Sequence, residues 1–300
     1  MQQYIWYNGK FVKFEDAKVH VLTHSLQYGS GIFEGIREYS TSKGSAVFRL
    51  DEHVKRFFNS AEIYGIRLGF SQAGIRKAIV ETLRKNKLAE AYIRPFAFYD
   101  DARIGLGTAS KKISVIIAAV PFGSYFDNKD KGIKCKVSSW HRMNSLIMPP
   151  EAKSSGNYAN SIIASLEARN AGADEAIMLS ANGYVAEGPG ENIFLVEDGK
   201  LITPSRSADI LMGITRSTII RLAESIGIEV EEREVHREEL YTCDEAFFAG
   251  TAAEITPIIS VDSVKKGGGR PGAMTLALSD AYSSTVHGKK IEFDSWLTYV

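Results

Sequence analysis

Glu151-Ala152-Lys153-Ser154-Ser155-Gly156-Asn157-Tyr158 is the stretch on which the reading of this chain turns, and its counterpart is Glu187-Gly188-Pro189-Gly190-Glu191-Asn192. Lys153 stands before a Ser/Gly turn that leads into a helix, and Glu187, 34 positions later, opens a Gly-rich turn. An amine so placed can condense with an aldehyde, and an acid can keep a ring nitrogen protonated, so the pair suits an aldehyde cofactor. A lone lysine is more often a solvated surface residue. The surrounding chain has to decide between the two.

Downstream of Lys153, Ala159, Ile162, Ile163 and Leu166 recur at i, i+3, i+4 and i+7 and predict a helix with one apolar stripe. Ile219, Leu222, Ala223 and Ile226 predict a second, with Thr215 as its N-cap and Gly227 just past its end. A last helix is expected over 273–286. Strands are expected over 133–139, 174–180, 192–196, 200–203, 228–233 and 245–249.

Upstream, Tyr4–Tyr7 and Phe11–Phe14 flank Asn8-Gly9, the signal for a type I′ hairpin. Asp51–Tyr64 reads as a helix capped by Asp51, with Val54, Phe57, Phe58 and Ala61 on its apolar face. Residues 71–86, opened by Ser71, form another, and Ala91–Tyr99 and Ile113–Val120 read as strands. The stretch 122–132 has linker character and ends on Gly132. The expectation is therefore an α/β (α+β) protein. Residues 1–121 form a smaller N-terminal α+β domain, 122–132 an interdomain loop and 133–300 a larger C-terminal domain.

Composition narrows the class. Three hundred residues, 44% of them hydrophobic, can bury a large core. The 36 basic and 36 acidic residues cancel without long blocks of one sign, so neither a nucleic-acid nor a membrane partner is expected. Cys135 and Cys243 are the only cysteines, which argues against a disulfide framework and for a reducing compartment, the cytoplasm. The longest apolar run, Ile113–Phe122, is too short to span a bilayer.

Several residues could carry chemistry. Gly213-Ile214-Thr215, at the head of a helix, offers unpaired amides and a hydroxyl to an anion, or is an ordinary capped helix. Gly250-Thr251-Ala252-Ala253 follows an apolar strand, and its amides suit a second anion such as a carboxylate. Arg56 can add a fork of donors to a phosphate or lie in solvent. Tyr92 and Arg94, two apart on a strand, share a face that suits a carboxylate or forms a wet edge. His20 and His24 have i, i+4 spacing but sit in an extended stretch with no third ligand, so no metal site is expected. The triple glycine at 267–269 lacks the Lys-Ser/Thr of a P-loop, and no Gly-x-Ser-x-Gly elbow occurs.

In this order the pieces resemble the branched-chain amino-acid aminotransferases of fold type IV. The resemblance is carried by Tyr28-Gly29, Phe33-Glu34-Gly35-Ile36-Arg37, Tyr92-Ile93-Arg94-Pro95 and Lys153–Tyr158. It continues through Glu187–Asn192, Gly213-Ile214-Thr215-Arg216 and Gly250–Pro257. It implies two domains, the larger C-terminal one binding the cofactor, pyridoxal 5′-phosphate, with amino acids and 2-oxo acids as substrates and a homodimer or an assembly of dimers. By motif position, Lys153 is the Schiff-base lysine, Glu187 the partner of the pyridine nitrogen and Tyr158 the partner of the ring's phenolic oxygen. Arg56, Ile214, Thr215 and Thr251 hold the phosphate, and Gly190, Leu211, Gly213 and Gly250 complete the cofactor site. Tyr92 with the amides of Thr251 and Ala252 takes the α-carboxylate. Tyr28, Phe33 and Gly35 line the side-chain pocket, and Arg94 pairs with the distal carboxylate of glutamate.

The expected reaction is transamination of leucine, isoleucine and valine with 2-oxoglutarate. Ser154-Ser155, Pro189 and Met212 stand where Ala-Gly, Ala and Pro are frequent in the family, but none removes a chemical group. D-amino-acid and (R)-amine transaminases and aminodeoxychorismate lyases of the same fold share Lys153 and Glu187. A non-catalytic metabolite-binding α/β protein is the alternative from another class.

Overall fold

A computed structural model describes residues 3–106, 112–123, 125–126 and 129–300. Ser124, Asp127 and Asn128 of the expected linker lie outside the described residues. Contacts gather the chain into two units, one of residues 1–123, 152–156 and 285–300, the other of 124–151 and 157–284.

The first unit contains strands β1 (Tyr4–Tyr7), β2 (Lys10–Lys13), β3 (Gly31–Phe33), β4 (Ile36–Thr41), β5 (Gly44–Phe48), β6 (Ala91–Tyr99) and β7 (Ile113–Pro121). Helices α1 (His24–Tyr28), α2 (Leu50–Ile63) and α3 (Gln72–Asn86) are interspersed. With the final strand, Leu297–Tyr299, they form an antiparallel sheet ordered final strand-β5-β4-β6-β7-β1-β2, and β3 pairs with β6. Asn8 (φ 47°) and Gly9 (φ 90°) make the tight β1–β2 turn that Asn-Gly predicts. The Ser71 side chain accepts from Gly74 N and starts α3 as expected.

Asp51 is not the cap of α2. Arg49, left-handed at φ 49°, precedes the helix without a side-chain cap, and Asp51 instead accepts from Arg76 Nε at 2.8 Å. The expected apolar face does turn inward: Val54, Phe57 and Ala61 meet Ile75, Ile79 and Leu83 of α3 and Ile93 and Ile117 of the sheet. Each such aliphatic or aromatic side chain contributes about 1.5–3 kcal/mol by burial.

One buried acid works against this core. Glu38 on β4 is fully buried, and burial pushes its carboxyl up to about 6 from 4.5, only partly offset by a 2.7 Å hydrogen bond from Ser45 Oγ. Between those values the folded chain binds more proton than the unfolded one, so stability falls as pH rises through that window. Glu38→Gln is therefore expected to gain about 1–2 kcal/mol over the parent at about pH 8 and almost nothing near pH 4.5. Thermal unfolding at the two pH values checks this; an equal gap at both contradicts it.

The second unit is a nine-stranded mixed sheet. Its strands are β8 (Ile133–Val137), β9 (Glu175–Leu179), β10 (Val185–Glu187), β11 (Asn192–Glu197), β12 (Lys200–Pro204), β13 (Val230–Arg233), β14 (Glu245–Gly250), β15 (Glu254–Val261) and β16 (Val264–Lys265). They run in the order β10-β9-β8-β15-β14-β11-β12-β13, with β16 on β15. Helices α4 (Tyr158–Asn170), α5 (Ile214–Ser225), α6 (Glu239–Thr242) and α7 (Ala273–Val286) accompany the sheet. The β8–β9, β8–β15 and β12–β13 pairs are parallel, the rest antiparallel, which bears out the α/β class.

Two helix readings change. On α4 the buried residues are the small ones, Ser161, Ala164 and Ala168, while Ile162 (57%) and Leu166 (51%) of the expected inner stripe are exposed. Small side chains let the helix sit close on the sheet, and the larger ones are left facing out. On α5, Ile219, Leu222 and Ala223 are buried as expected, but Ile226 is exposed. The N-cap is Gly213 and not Thr215, which lies inside the first turn. Among the described residues no helix is long and apolar enough to cross a membrane.

Candidate active site

In the first unit, main-chain pairing fixes Lys153. Phe33 N donates to Lys153 O (2.9 Å) and Ser155 N to Gly31 O (2.9 Å), so 152–156 runs beside β3. On the other side Lys153 N donates to Ser60 Oγ (3.0 Å) and Ser154 Oγ to Tyr64 Oη (2.7 Å). Gly29 (φ 61°) allows this approach, since a β-carbon there would fall 2.8 Å from Gly156 Cα. These bonds explain why the lysine segment belongs to the first unit, although it follows the linker that the sequence reading placed before the larger domain.

The Lys153 amine lies 5.1 Å from the centre of the Phe33 ring, and the Arg94 guanidinium lies 4.6 Å from the same ring. Arg94 Nη2 donates to Tyr92 Oη at 3.1 Å, so the two share a face as their spacing predicts. Gly35 is required beside them: a β-carbon would come 2.1 Å from Tyr92 Oη. Lys153, Phe33, Gly35, Tyr92 and Arg94 thus form one cluster. Tyr28 is engaged elsewhere, its ring 4.6 Å from that of His24 and its hydroxyl accepting from Gly105 N at 3.2 Å.

Arg56 is gripped by Glu34, through Nε to Oε1 at 2.7 Å and Nη2 to Oε2 at 2.9 Å, and His53 Nδ1 meets Oε2 at 2.7 Å. Burial alone would raise the Glu34 carboxyl, but the Arg56 charge and the His53 and Arg56 hydrogen bonds win and hold it far below the usual carboxylate range. Burial pulls the His53 imidazole down; Glu34 offsets part of this, and the charges of Arg56 and Lys153 add to the lowering. Glu34, His53, Ser60 and Tyr64 had no assigned role in the sequence reading. His53, Arg56 and Ser60 recur at helical spacing on α2, with Tyr64 at its C-cap, a polar stripe that was readable.

In the second unit Glu187 ends β10 and is only 4% exposed. Its Oε2 accepts from Asn192 Nδ2 (2.9 Å) and Leu211 N (3.1 Å), and Arg142 Nε lies 2.7 Å from Oε1. Arg142 and Asn192 are partners of Glu187 to which the sequence reading gave no role. Gly213 packs on this group, where a β-carbon would meet Asn192 Oδ1 at 2.0 Å. It caps α5, whose first residues Ile214 and Thr215 are buried, so the helix opens with amides and the positive end of its dipole. Gly250 lies near Gly190, a β-carbon there reaching Gly190 O at 3.4 Å, and Thr251 and Ala252 follow in the β14–β15 turn. Tyr158, Pro189 and Gly190 line a cavity of ≈ 260 Å³ with Ser161 and Arg169.

The first unit sets an amine beside an aromatic ring and a guanidinium, and the second holds a buried carboxylate next to a glycine-capped helix. The chain belongs to amino-transferase class IV, whose family model matches residues 31–261. Its relatives place it among the branched-chain-amino-acid aminotransferases. It is 47% identical over 298 residues to that enzyme of Pseudomonas aeruginosa, covering 99% of this chain and 97% of the other. The Escherichia coli enzyme is 45% identical over 300 residues, covering 99% and 97%.

Solved structures agree. The branched-chain aminotransferase of Thermoproteus uzoniensis with norvaline superposes with a TM-score of 0.95 at 45% identity, covering 99% of both chains. The holo-form of the Thermobaculum terrenum enzyme, with pyridoxal 5′-phosphate, gives 0.93 at 37%, covering 99% of this chain and 98% of the other. Pyridoxal 5′-phosphate is the cofactor of this class, and the residues fit it. Lys153 can meet an aldehyde, buried Glu187 a ring nitrogen, and the α5 N-terminus at Gly213 an anion.

Proposed function

We propose that the chain transfers the amino group of L-leucine, L-isoleucine and L-valine to 2-oxoglutarate, giving branched-chain 2-oxo acids and L-glutamate. The observation that carries this reading is the Lys153 amine 5.1 Å over the Phe33 ring, with the Arg94–Tyr92 pair on the same ring. Pyridoxal 5′-phosphate, when bound, supplies the aldehyde that takes up the amino group and a ring that accepts the α-carbon's electrons.

The chain's own groups do the rest. Lys153 Nζ would take the proton off the substrate α-carbon as base and then, as acid, deliver it to the carbon that carried the cofactor's aldehyde, C4′. Glu187 keeps a ring nitrogen protonated, and Tyr158 donates to the ring's phenolic oxygen. Arg56, Ile214, Thr215 and Thr251 hold the phosphate, with Gly190, Leu211, Gly213 and Gly250 shaping the site. Tyr92 takes the α-carboxylate, as do the amides of Thr251 and Ala252.

Phe33 and Gly35 give an apolar wall on which branched side chains bind by burial, and Tyr28 is assigned to the same pocket. One methylene discriminates by only about 1–3 kcal/mol, so the three substrates overlap. A 2-oxoglutarate-coupled assay tests the reading: turnover of L-leucine, L-isoleucine and L-valine is expected, and activity confined to D-alanine or an aryl amine overturns it.

Arg94 is assigned to the distal carboxylate of glutamate. Arg94→Ala should raise KM for glutamate and 2-oxoglutarate by about 10-fold or more, the worth of one hydrogen bond to a charged group, and leave leucine within about 3-fold. Equal losses for both would show that Arg94 only supports the fold. A homodimer in the cytoplasm completes the proposal. Exposed apolar side chains at Val19, Val21, Leu22 and Leu26 support a second copy, and two buried free thiols, Cys135 and Cys243, support a reducing compartment. Sedimentation of the purified chain tests the assembly.

A further inference from the structure

Glu187 is a carboxylate nine-tenths buried or more, and a buried carboxylate without a counter-charge takes up a proton. Its Oε2 is held by two neutral donors, Asn192 Nδ2 and Leu211 N. Its Oε1 faces Arg142, itself 7% exposed, whose Nε lies 2.7 Å away. That N–H is not aligned for a hydrogen bond, so charge more than direction ties the two together.

Arg142 is built into place. Its backbone N donates to Leu179 O at the end of β9 (2.7 Å), and its Nη1 reaches Ser161 Oγ on α4 (3.4 Å). Asn192 in turn bonds Leu211 O at 2.9 Å and occupies the space that a side chain at Gly213 would need. The carboxylate is therefore steered by Asn192 and charged by Arg142, two separate tasks on its two oxygens.

We propose that Arg142 is a positioning residue for the reaction: it keeps Glu187 ionised inside the protein, so that Glu187 holds a protonated ring nitrogen and not a neutral one. This rests on the assignment of Glu187 to that nitrogen. An arginine is charged at every physiological pH, and an ionised acid beside it can only accept a proton's hydrogen bond. A neutral acid would donate its own proton to an unprotonated nitrogen, and the ring would lose its power to draw electrons from the α-carbon.

The test loads the full chain with pyridoxal 5′-phosphate carrying ¹⁵N in the ring and reads the nitrogen's chemical shift against pH, a signal independent of turnover. The parent is expected to show the protonated shift throughout about pH 6 to 8. Arg142→Gln, which keeps a donor but no charge, is expected to move toward the unprotonated shift in that range and to lose about 10-fold or more in kcat with a smaller change in KM. Arg142→Lys should restore the parent's shift.

A parent-like ¹⁵N signal in Arg142→Gln overturns the proposal. Glu187→Gln separates the two failures: if it too keeps the parent's signal, the assignment of Glu187 falls, whereas if it alone shifts, only the role of Arg142 falls. Should Arg142→Gln not fold, ¹³C-carboxyl spectra of the unsubstituted chain before cofactor is added decide. Glu187 ionised over the same pH range supports the proposal, and a protonated Glu187 there sinks it.

Discussion

Replacing Lys153 by alanine is expected to abolish transamination, by more than about 10⁴-fold, while leaving the fold intact. The fold survives because the main chain and not the side chain seats this residue: Phe33 N bonds Lys153 O, and Lys153 N bonds Ser60 Oγ. Alanine keeps both bonds and gives up only a half-buried alkyl chain. The amine is lost, and with it the group that moves a proton at the α-carbon. Tyr92 and Arg94 remain paired, so the variant should still bind amino acids and still bind pyridoxal 5′-phosphate, but without a covalent link. Steady-state rates, a melting curve and the cofactor's absorption band measure the three parts. Turnover within about 10-fold of the parent would remove Lys153 from the chemistry.

Glu187→Gln is expected to lower kcat by about 10²–10³-fold with the cofactor saturating, and to weaken cofactor binding far less. Glutamine fills the same volume and still meets Asn192 and Leu211, but it carries no charge to hold a proton on a ring nitrogen. It also leaves the buried Arg142 without its partner, which costs about 3–5 kcal/mol by analogy with other broken buried pairs. The melting temperature should fall as well, so the rate has to be read where the variant is fully folded. An unchanged kcat would show that the carboxylate serves the fold alone.

Much of the local geometry at the candidate site could be read in the sequence because its signals are short-range. Tyr92 and Arg94 share a face by strand alternation, Asn8-Gly9 makes its hairpin, and Gly213 opens a helix within three residues of Thr215. The partners that tune these groups were not legible, since each comes from a distant segment: Glu34 and His53 on Arg56, Ser60 and Tyr64 on 153–154, Arg142 on Glu187. Short strands such as β3 carry too little periodicity to stand out, yet β3 is the one that holds Lys153. The α4 stripe misled for a different reason. Helical spacing shows that Ile162 and Leu166 share a side with Ala159, but not that the sheet accepts only Ser161, Ala164 and Ala168. Caps failed at Asp51 and Thr215 because backbone geometry at Arg49 and Gly213 begins those helices without side-chain help.

The most direct measurement reduces the pyridoxal 5′-phosphate-loaded protein with borohydride, digests it and locates the modified lysine by mass spectrometry. A single 5′-phosphopyridoxyl group on the peptide carrying Lys153 is the predicted result. Reduction that marks a different lysine, or none at all, would contradict the account.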